Sequence, residues 1–267
     1  MKCYCINLDR DVDRRAWVEA QASAAGLVLT RVPAVLGSAL GAEELARHRA
    51  AADHAGAVAL KDLSPNDLAP HDLSPGEVGC LLSHVRALRL FVESDEPHAL
   101  IIEDDVHIAL DARKLLADLA AEHLPAFDLI KLEATPMRTF VSRAYRRLPG
   151  ERRLHDLLSF NLGTAAYLVK RSTAIELIER LESSMMPCDY ALCSPETNGL
   201  KIGQLQPAPF IQDNFKHGVT TLRSSIGERP SHRRRKHRLL WAKALANQLY
   251  NIVQIPRGRQ RIRIVWR

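Results

Sequence analysis

The hydrophobic and polar positions of this 267-residue chain fall into two periods, and each period names an element. Cys3 to Leu8 is a short apolar run with the composition of a strand. Asp9 or Asp11 then stands where a helix cap is expected, residues 12–25 follow as a helix, and Gly26 suits its C′ position. Val28 to Val32 returns as a strand. A strand-helix-strand opening predicts an α/β fold with a central, mostly parallel sheet flanked by helices. Residues 43–54 form an Ala-rich helix candidate. Asp-Leu-Ser-Pro then occurs at 62–65 and 72–75, with Asp-Leu-Ala-Pro between. Proline at such short intervals predicts turns and extended chain, here a surface loop that closes when a ligand binds.

Ser74-Pro75-Gly76-Glu77 is a strong helix start, with Ser74 as N-cap, Pro75 at N1 and Glu77 completing a capping box. Val78, Leu81, Leu82, Val85, Leu88 and Val92 then repeat at helical spacing and predict its buried face. Ala99 to Ile102 reads as a buried strand, ending in Glu103, Asp104 and Asp105. Residues 127–132 and 164–170 are further strands, 138–155 a hairpin turning at Pro149-Gly150, and Ser172 the cap of a helix reaching about Ser183. Beyond it, prolines at 187, 195, 207 and 209 predict loop.

Composition narrows the class. The chain is 46% hydrophobic and 25% charged, an ordinary globular balance. No stretch of eighteen apolar residues suggests a membrane span, and the N-terminus turns polar too early for a signal peptide, so a cytoplasmic protein is expected. Cys3, Cys5, Cys80, Cys188 and Cys193 are odd in number and scattered, which argues against a disulfide framework or a structural zinc site. The net charge of +6 is unevenly held: residues 228–267 carry +11, which leaves −5 on residues 1–227. The chain therefore reads as one domain, 1–227, with a basic tail, 228–267. In the tail a basic block, His232 to Arg238, precedes an apolar stripe of Trp241, Leu245, Leu249 and Ile252, and a second block spans Arg257 to Arg267. A basic amphipathic segment with an aromatic anchor suits an anionic membrane surface. Packing of the tail on the acidic body is the plain alternative.

Glu103, Asp104 and Asp105 are the residues most suggestive of chemistry. Three adjacent carboxylates repel one another and need solvation or a cation. At the carboxyl end of a strand in an α/β sheet, where ligands bind, they suit Mg²⁺ or Mn²⁺ holding a diphosphate. If the strand continues, Glu103 and Asp105 point the same way.

Five local patterns occur in order: INLDRDVDRR at 6–15, SPGEVGCLLSH at 74–84, LIIEDDV at 100–106, GTAAYLVKR at 163–171 and PCDY at 187–190. Together they resemble glycosyltransferase family 25, which includes bacterial lipooligosaccharide galactosyltransferases and collagen-modifying relatives. The resemblance covers about residues 3–226, and the GE-x-GC-x-LSH helix followed by EDD-V is its specific part. It implies a GT-A-like fold, a UDP-sugar donor such as UDP-galactose, and transfer with inversion onto a saccharide acceptor. Glu103 and Asp105 would then be metal ligands, with Asp104 at the donor and His217 as a late ligand. Asn7 and Leu8 would meet the nucleotide, and Arg10 or Arg14 the phosphates. Ser83 and His84 are placed near the donor, where His84 would bond it or orient a metal carboxylate. Gly79 would let another backbone approach, and Cys80 is read as core. Asp189 and Glu133 are the two candidates for the base that takes the acceptor hydroxyl's proton. A lipid-linked saccharide on the inner face of the cytoplasmic membrane would fit the basic tail.

The rival from another class is a metal-dependent nucleic-acid-binding protein or nuclease, supported by the basic tail and the acidic cluster. An acidic body, no nucleic-acid motif and only 5% aromatic residues speak against it, so no nucleic-acid partner is expected.

Overall fold

In the computed structural model, residues 1–48, 73–217 and 258–267 are described. The chain opens with β1 (Lys2–Asn7), α1 (Val12–Ala24), β2 (Leu29–Pro33) and the short α2 (Ala42–Arg47). Next come α3 (Pro75–Val92), β3 (His98–Glu103), β4 (Val106–Ile108) and α4 (Ala112–Asp118). β5 (Leu129–Lys131), β6 (Glu133–Ala134), β7 (Arg138–Leu148), β8 (Arg152–Leu157) and β9 (Ala166–Lys170) follow, then α5 (Arg171–Glu182). The remainder comprises α6 (Cys188–Cys193), α7 (Pro195–Asn198), β10 (Ile202–Gln206), β11 (Phe210–Gln212), α8 (Asp213–His217) and β12 (Arg259–Arg263).

Nine strands of the described residues form one sheet, in the order β12-β7-β8-β10-β5-β9-β3-β1-β2. The expected α/β architecture with a large helix-flanked sheet is present, but the sheet is mixed. Parallel pairing joins β2-β1-β3 and β5-β10, while β9 runs antiparallel to both its neighbours and β8, β7 and β12 form an antiparallel end. The hairpin at Pro149-Gly150, where Gly150 has φ +72°, dictates that end, since a tight turn joins only antiparallel strands.

Side-chain alternation divides the core into two layers. Tyr4, Ile6, Ile101, Leu129, Tyr167 and Val169 face α3 and α5, whereas Cys3, Cys5, Leu100, Ile102, Ile130 and Leu168 face α1 and α4. The capping box of α3 forms as predicted: Ser74 accepts from the Glu77 N–H and Glu77 accepts from the Ser74 N–H. Val78, Leu81, Val85 and Leu88 are fully or almost fully buried, while Leu82 and Val92 are partly so. Truncating Leu88 to Ala would remove roughly 2–5 kcal/mol.

Three expectations need correction. Residues 187–217 are not loop: Pro187 and Pro195 stand at the starts of α6 and α7, and β10 is buried by pairing with β5 and β8. Proline tolerated at a helix start looks identical in sequence to proline that breaks structure. Ser172 lies inside α5, whose N-cap is Lys170. The last basic block, assigned by its charge to a separate tail, contributes β12, antiparallel to β7, with Ile264 buried against Ala134 and Ala208. Its alternation of arginine with Gln260, Ile262 and Ile264 is the period of a strand. The proline-rich stretch up to residue 72 and the basic block and apolar stripe at 232–252 lie outside the described residues. No described helix is long and apolar enough to cross a membrane.

Candidate active site at the carboxyl end of β1 and β3

β1 and β3 are parallel neighbours, so Asn7 and Glu103 arrive at the same sheet edge. A solvent-open cleft of ≈ 210 Å³ lies there, lined by Asn7, Leu8 and Arg14, by residues 34–37, by Cys80, Ser83 and His84, and by the acidic cluster.

The acidic residues divide their tasks. β3 ends at Glu103 and the chain turns through Asp104 and Asp105 into β4. Asp104 turns toward β1, where the Asn7 amide donates to its Oδ2 at 2.7 Å and Arg14 Nη2 lies 2.5 Å from Oδ1. Arg14 also reaches Asp105 at 3.1 Å. Glu103 and Asp105 share a third neighbour: Gln212 Nε2 is 3.3 Å from Glu103 Oε2 and 3.4 Å from Asp105 Oδ1. Backbone pairing holds Gln212 there, because β11 lies antiparallel to β4 and the Asp213 N–H donates to the Asp105 carbonyl at 2.8 Å.

Burial sets the charges in this corner. Desolvation, reinforced by Glu103, pushes the Asp105 carboxyl up to about 7. Desolvation raises Asp104 to about 6 against the opposing pull of Arg14 and Asn7. Burial acts the same way on Glu103, but hydrogen bonds from His84 and Thr164 outweigh it and keep that carboxyl below its ordinary value. His84, desolvated yet bonded to Cys80 and Glu103, is lifted to about 9. Carboxyl oxygens of Glu103 and Asp105 brought to one point are the donor type that a hard divalent cation takes. The Gln212 amide nitrogen bridges those two oxygens.

The other predicted residues separate into those the cleft gathers and those it does not. Ser83 lines the cleft but is fully used, donating to the Gly79 carbonyl at 2.6 Å and accepting from the Val35 N–H at 2.8 Å. It fastens the cleft-lining segment 34–37 to α3. Arg10 is more than half exposed, 3.8 Å from Asp11, and does not line the cleft. His217 ends α8 and is also absent from the lining; Asn214 represents that helix. Glu133 is completely buried in an ion pair with Lys131 at 2.8 Å. Asp189 is half-buried in the first turn of α6, its Oδ2 accepting from the Gly163 N–H at 3.4 Å and its Oδ1 from the Tyr190 N–H at 3.0 Å.

Sequence reasoning missed several supports of this site. Arg31 donates to Asn7 Oδ1 at 3.0 Å and to the Asn7 carbonyl at 3.2 Å, fixing the amide that holds Asp104. The Tyr167 hydroxyl lies 3.0 Å from His84 Nδ1, and Lys131 donates to the carbonyls of Asn161 and Leu162 at 3.0 and 2.6 Å. A lysine within an apolar strand run was the one available signal for this last group.

A protein of Haemophilus influenzae named as a glycosyltransferase is 29% identical over 160 residues, 57% of this chain and 54% of that protein. The chain thus spans about half the length of that relative. The lacto-N-neotetraose biosynthesis glycosyltransferase LgtE of Neisseria meningitidis serogroup B is 26% identical over 256 residues, 89% of this chain and 84% of that protein. Among solved structures, HddC from Yersinia pseudotuberculosis aligns with 81% of this chain and 95% of its own at 12% identity, with a TM-score of 0.33 that is too low to support an argument. The sequence profile of Glycosyltransferase family 25 (LPS biosynthesis protein) matches residues 1–192, which takes in β1, α3, the acidic turn and Asp189, and the chain belongs to that family.

Proposed function

We propose that this chain transfers a hexose, galactose from UDP-galactose in the first instance, with inversion onto a saccharide of a growing lipopolysaccharide or lipooligosaccharide. The observation that carries the reading is the convergence of Glu103 and Asp105 on one point beside the cleft that begins at Asn7. Family membership and the biosynthetic role in the name of the Neisseria relative support the acceptor class. The catalytic unit is GT-A-like, and residues 228–257 are a basic segment that brings it to the inner face of the cytoplasmic membrane, where a lipid-linked acceptor is presented.

In this reading the nucleotide lies along Asn7, Leu8 and residues 34–37, and Arg14, already between Asp104 and Asp105, faces the diphosphate. Glu103 and Asp105 would hold Mn²⁺ or Mg²⁺, which when bound would supply charge neutralisation for a departing nucleoside diphosphate. Thr164 and His84 fix the Glu103 carboxylate so that no reorganisation is needed during reaction. Asp189 takes the acceptor hydroxyl's proton. It is favoured over Glu133, which is wholly buried and bound to Lys131 and the Ala165 N–H.

The test is donor turnover with Mn²⁺, using UDP-galactose first among UDP-sugars. Asp105→Asn should abolish turnover while the melting curve stays cooperative. Full activity in excess EDTA, or in that variant, would remove the metal-assisted reading.

A further inference from the structure

Three sulfur and nitrogen donors meet on the wall of the cleft, apart from the oxygen donors. Cys80 and His84 are four residues apart on α3 and so face the same way. Cys188 opens α6, which packs against α3. The two Sγ atoms and a ring nitrogen of His84 all lie within 4.8 Å of one another. Neither cysteine is in a disulfide. His84 and Cys188 are buried, while Cys80 is partly exposed and lines the cleft together with His84, so an ion has a path from solvent.

The donor chemistry selects the ion. Two thiolates and an imidazole suit Zn²⁺ and are poor ligands for Mg²⁺ or Mn²⁺. Tetrahedral Zn²⁺, with Zn–S about 2.3 Å and Zn–N about 2.0 Å, sets its ligand atoms roughly 3.5–3.8 Å apart. The cluster therefore closes by at most about 1 Å, within reach of χ1 adjustments at the two cysteines. The surroundings suit a ligating histidine too. Nδ1 of His84 faces the Tyr167 hydroxyl at 3.0 Å and Nε2 faces Glu103 at 3.3 Å, so whichever nitrogen takes the metal, the other keeps an orienting hydrogen bond.

We propose that Cys80, His84 and Cys188 form a Zn²⁺ site, distinct in its donors from the carboxylate site and joined to it by the His84–Glu103 contact, with its fourth position open to water from the cleft. Binding displaces the protons of the two thiols and the proton that the imidazolium form of His84 carries on its ligating nitrogen, all of which pass to solvent. The ion cross-links α3 to α6 and so steadies Asp189, the residue after Cys188.

The experiment uses the full chain, reduced, stripped with a chelator, then equilibrated with Zn²⁺ or Co²⁺ and freed of excess ion. Wild type and a control, Cys193→Ala, should each retain one Zn²⁺ per chain by elemental analysis. Their Co²⁺ forms should show thiolate-to-cobalt charge-transfer absorption and the visible bands of tetrahedral cobalt. Cys80→Ser and Cys188→Ser should lose those bands and hold Zn²⁺ at least 10-fold more weakly. Should Cys188→Ser fail to fold, Cys80→Ser decides the matter, since Cys80 is the less buried partner. Zn²⁺ retention equal in wild type and Cys80→Ser, cobalt bands that survive the substitution, or a Cys80–Cys188 disulfide in place of bound metal would each overturn the proposal.

Discussion

Replacing Gly79 by alanine sets two effects of opposite sign against each other, and the geometry says which prevails. In the interior of α3, Gly→Ala alone should stabilise by about 1 kcal/mol, because glycine loses the most backbone freedom on entering a helix. Gly79, however, faces the segment that lines the cleft. A Cβ there would lie 2.7 Å from the Gly37 nitrogen, 2.7 Å from the Val35 carbonyl oxygen and 2.9 Å from the Gly37 Cα. All three are backbone atoms, so no rotamer relieves the overlap. The Ser83 hydroxyl, bonded to the Val35 N–H at 2.8 Å, resists separation of the two segments. Overpacking of this kind costs roughly 1–3 kcal/mol, and with contact on backbone alone the upper half of that range applies. The net loss is then about 1–2 kcal/mol, a fall in Tm of roughly 2–6 °C for a domain of this size. Val35, Leu36 and Gly37 line the cleft, so binding of UDP with Mn²⁺, followed by calorimetry, should weaken as well. Gly37→Ala should be worse, since its Cβ would fall 1.7 Å from the Pro75 carbonyl oxygen. A Gly79→Ala protein that melts 2–4 °C higher than wild type and binds UDP unchanged would refute the reasoning.

Other substitutions probe the remaining parts of the site. Asp189→Asn should lower turnover by at least about 10²-fold with donor affinity little changed; steady-state kinetics showing normal turnover at saturation but poor donor binding would move Asp189 to the donor site. Lys131→Met removes the cation that bonds Glu133 and the Asn161 and Leu162 carbonyls; Glu133, which burial already pushes up to about 7, takes a proton, and the lost bonds should cost about 1–3 kcal/mol. A urea midpoint equivalent to less than about 1 kcal/mol of loss would show that this pair is not holding residues 161–163 in place. For the basic segment, Arg233, Arg234, Arg235, Lys236 and Arg238 changed together to serine should abolish sedimentation with anionic liposomes at low salt. This is a cleaner test than deletion, which would also remove β12 from the sheet. Undiminished sedimentation would exclude the block as the membrane contact.

Local regularities were legible in the sequence wherever one period or one cap decides the outcome. The α3 capping box, the helix after β1 closed by Gly26 at φ +70°, and the hairpin at Gly150 all depend on residues within a few positions of each other. The apolar run into Glu103-Asp104-Asp105 marked the candidate site, because buried strands ending in carboxylates place charge at a sheet edge under any topology. Gly79 as a point of close backbone approach was legible as well, since a glycine amid a strong helical pattern needs a reason. What the sequence did not contain was which distant residues would meet that cluster. Gln212 reaches Glu103 and Asp105 because β11 pairs with β4, and Arg31 reaches Asn7 because β2 lies beside β1. Glu133 read as a candidate base and His217 as a late metal ligand, and neither reading could include that the fold buries Glu133 against Lys131 or that α8 presents Asn214 to the cleft. Cys80 and Cys188, 108 positions apart, looked like unrelated core residues until α6 packed on α3. Hydrophobic period and capping act over one or two turns of chain and can be read from it directly. Pairing of strands far apart in sequence is decided by the burial of the whole sheet, and only the folded molecule records it.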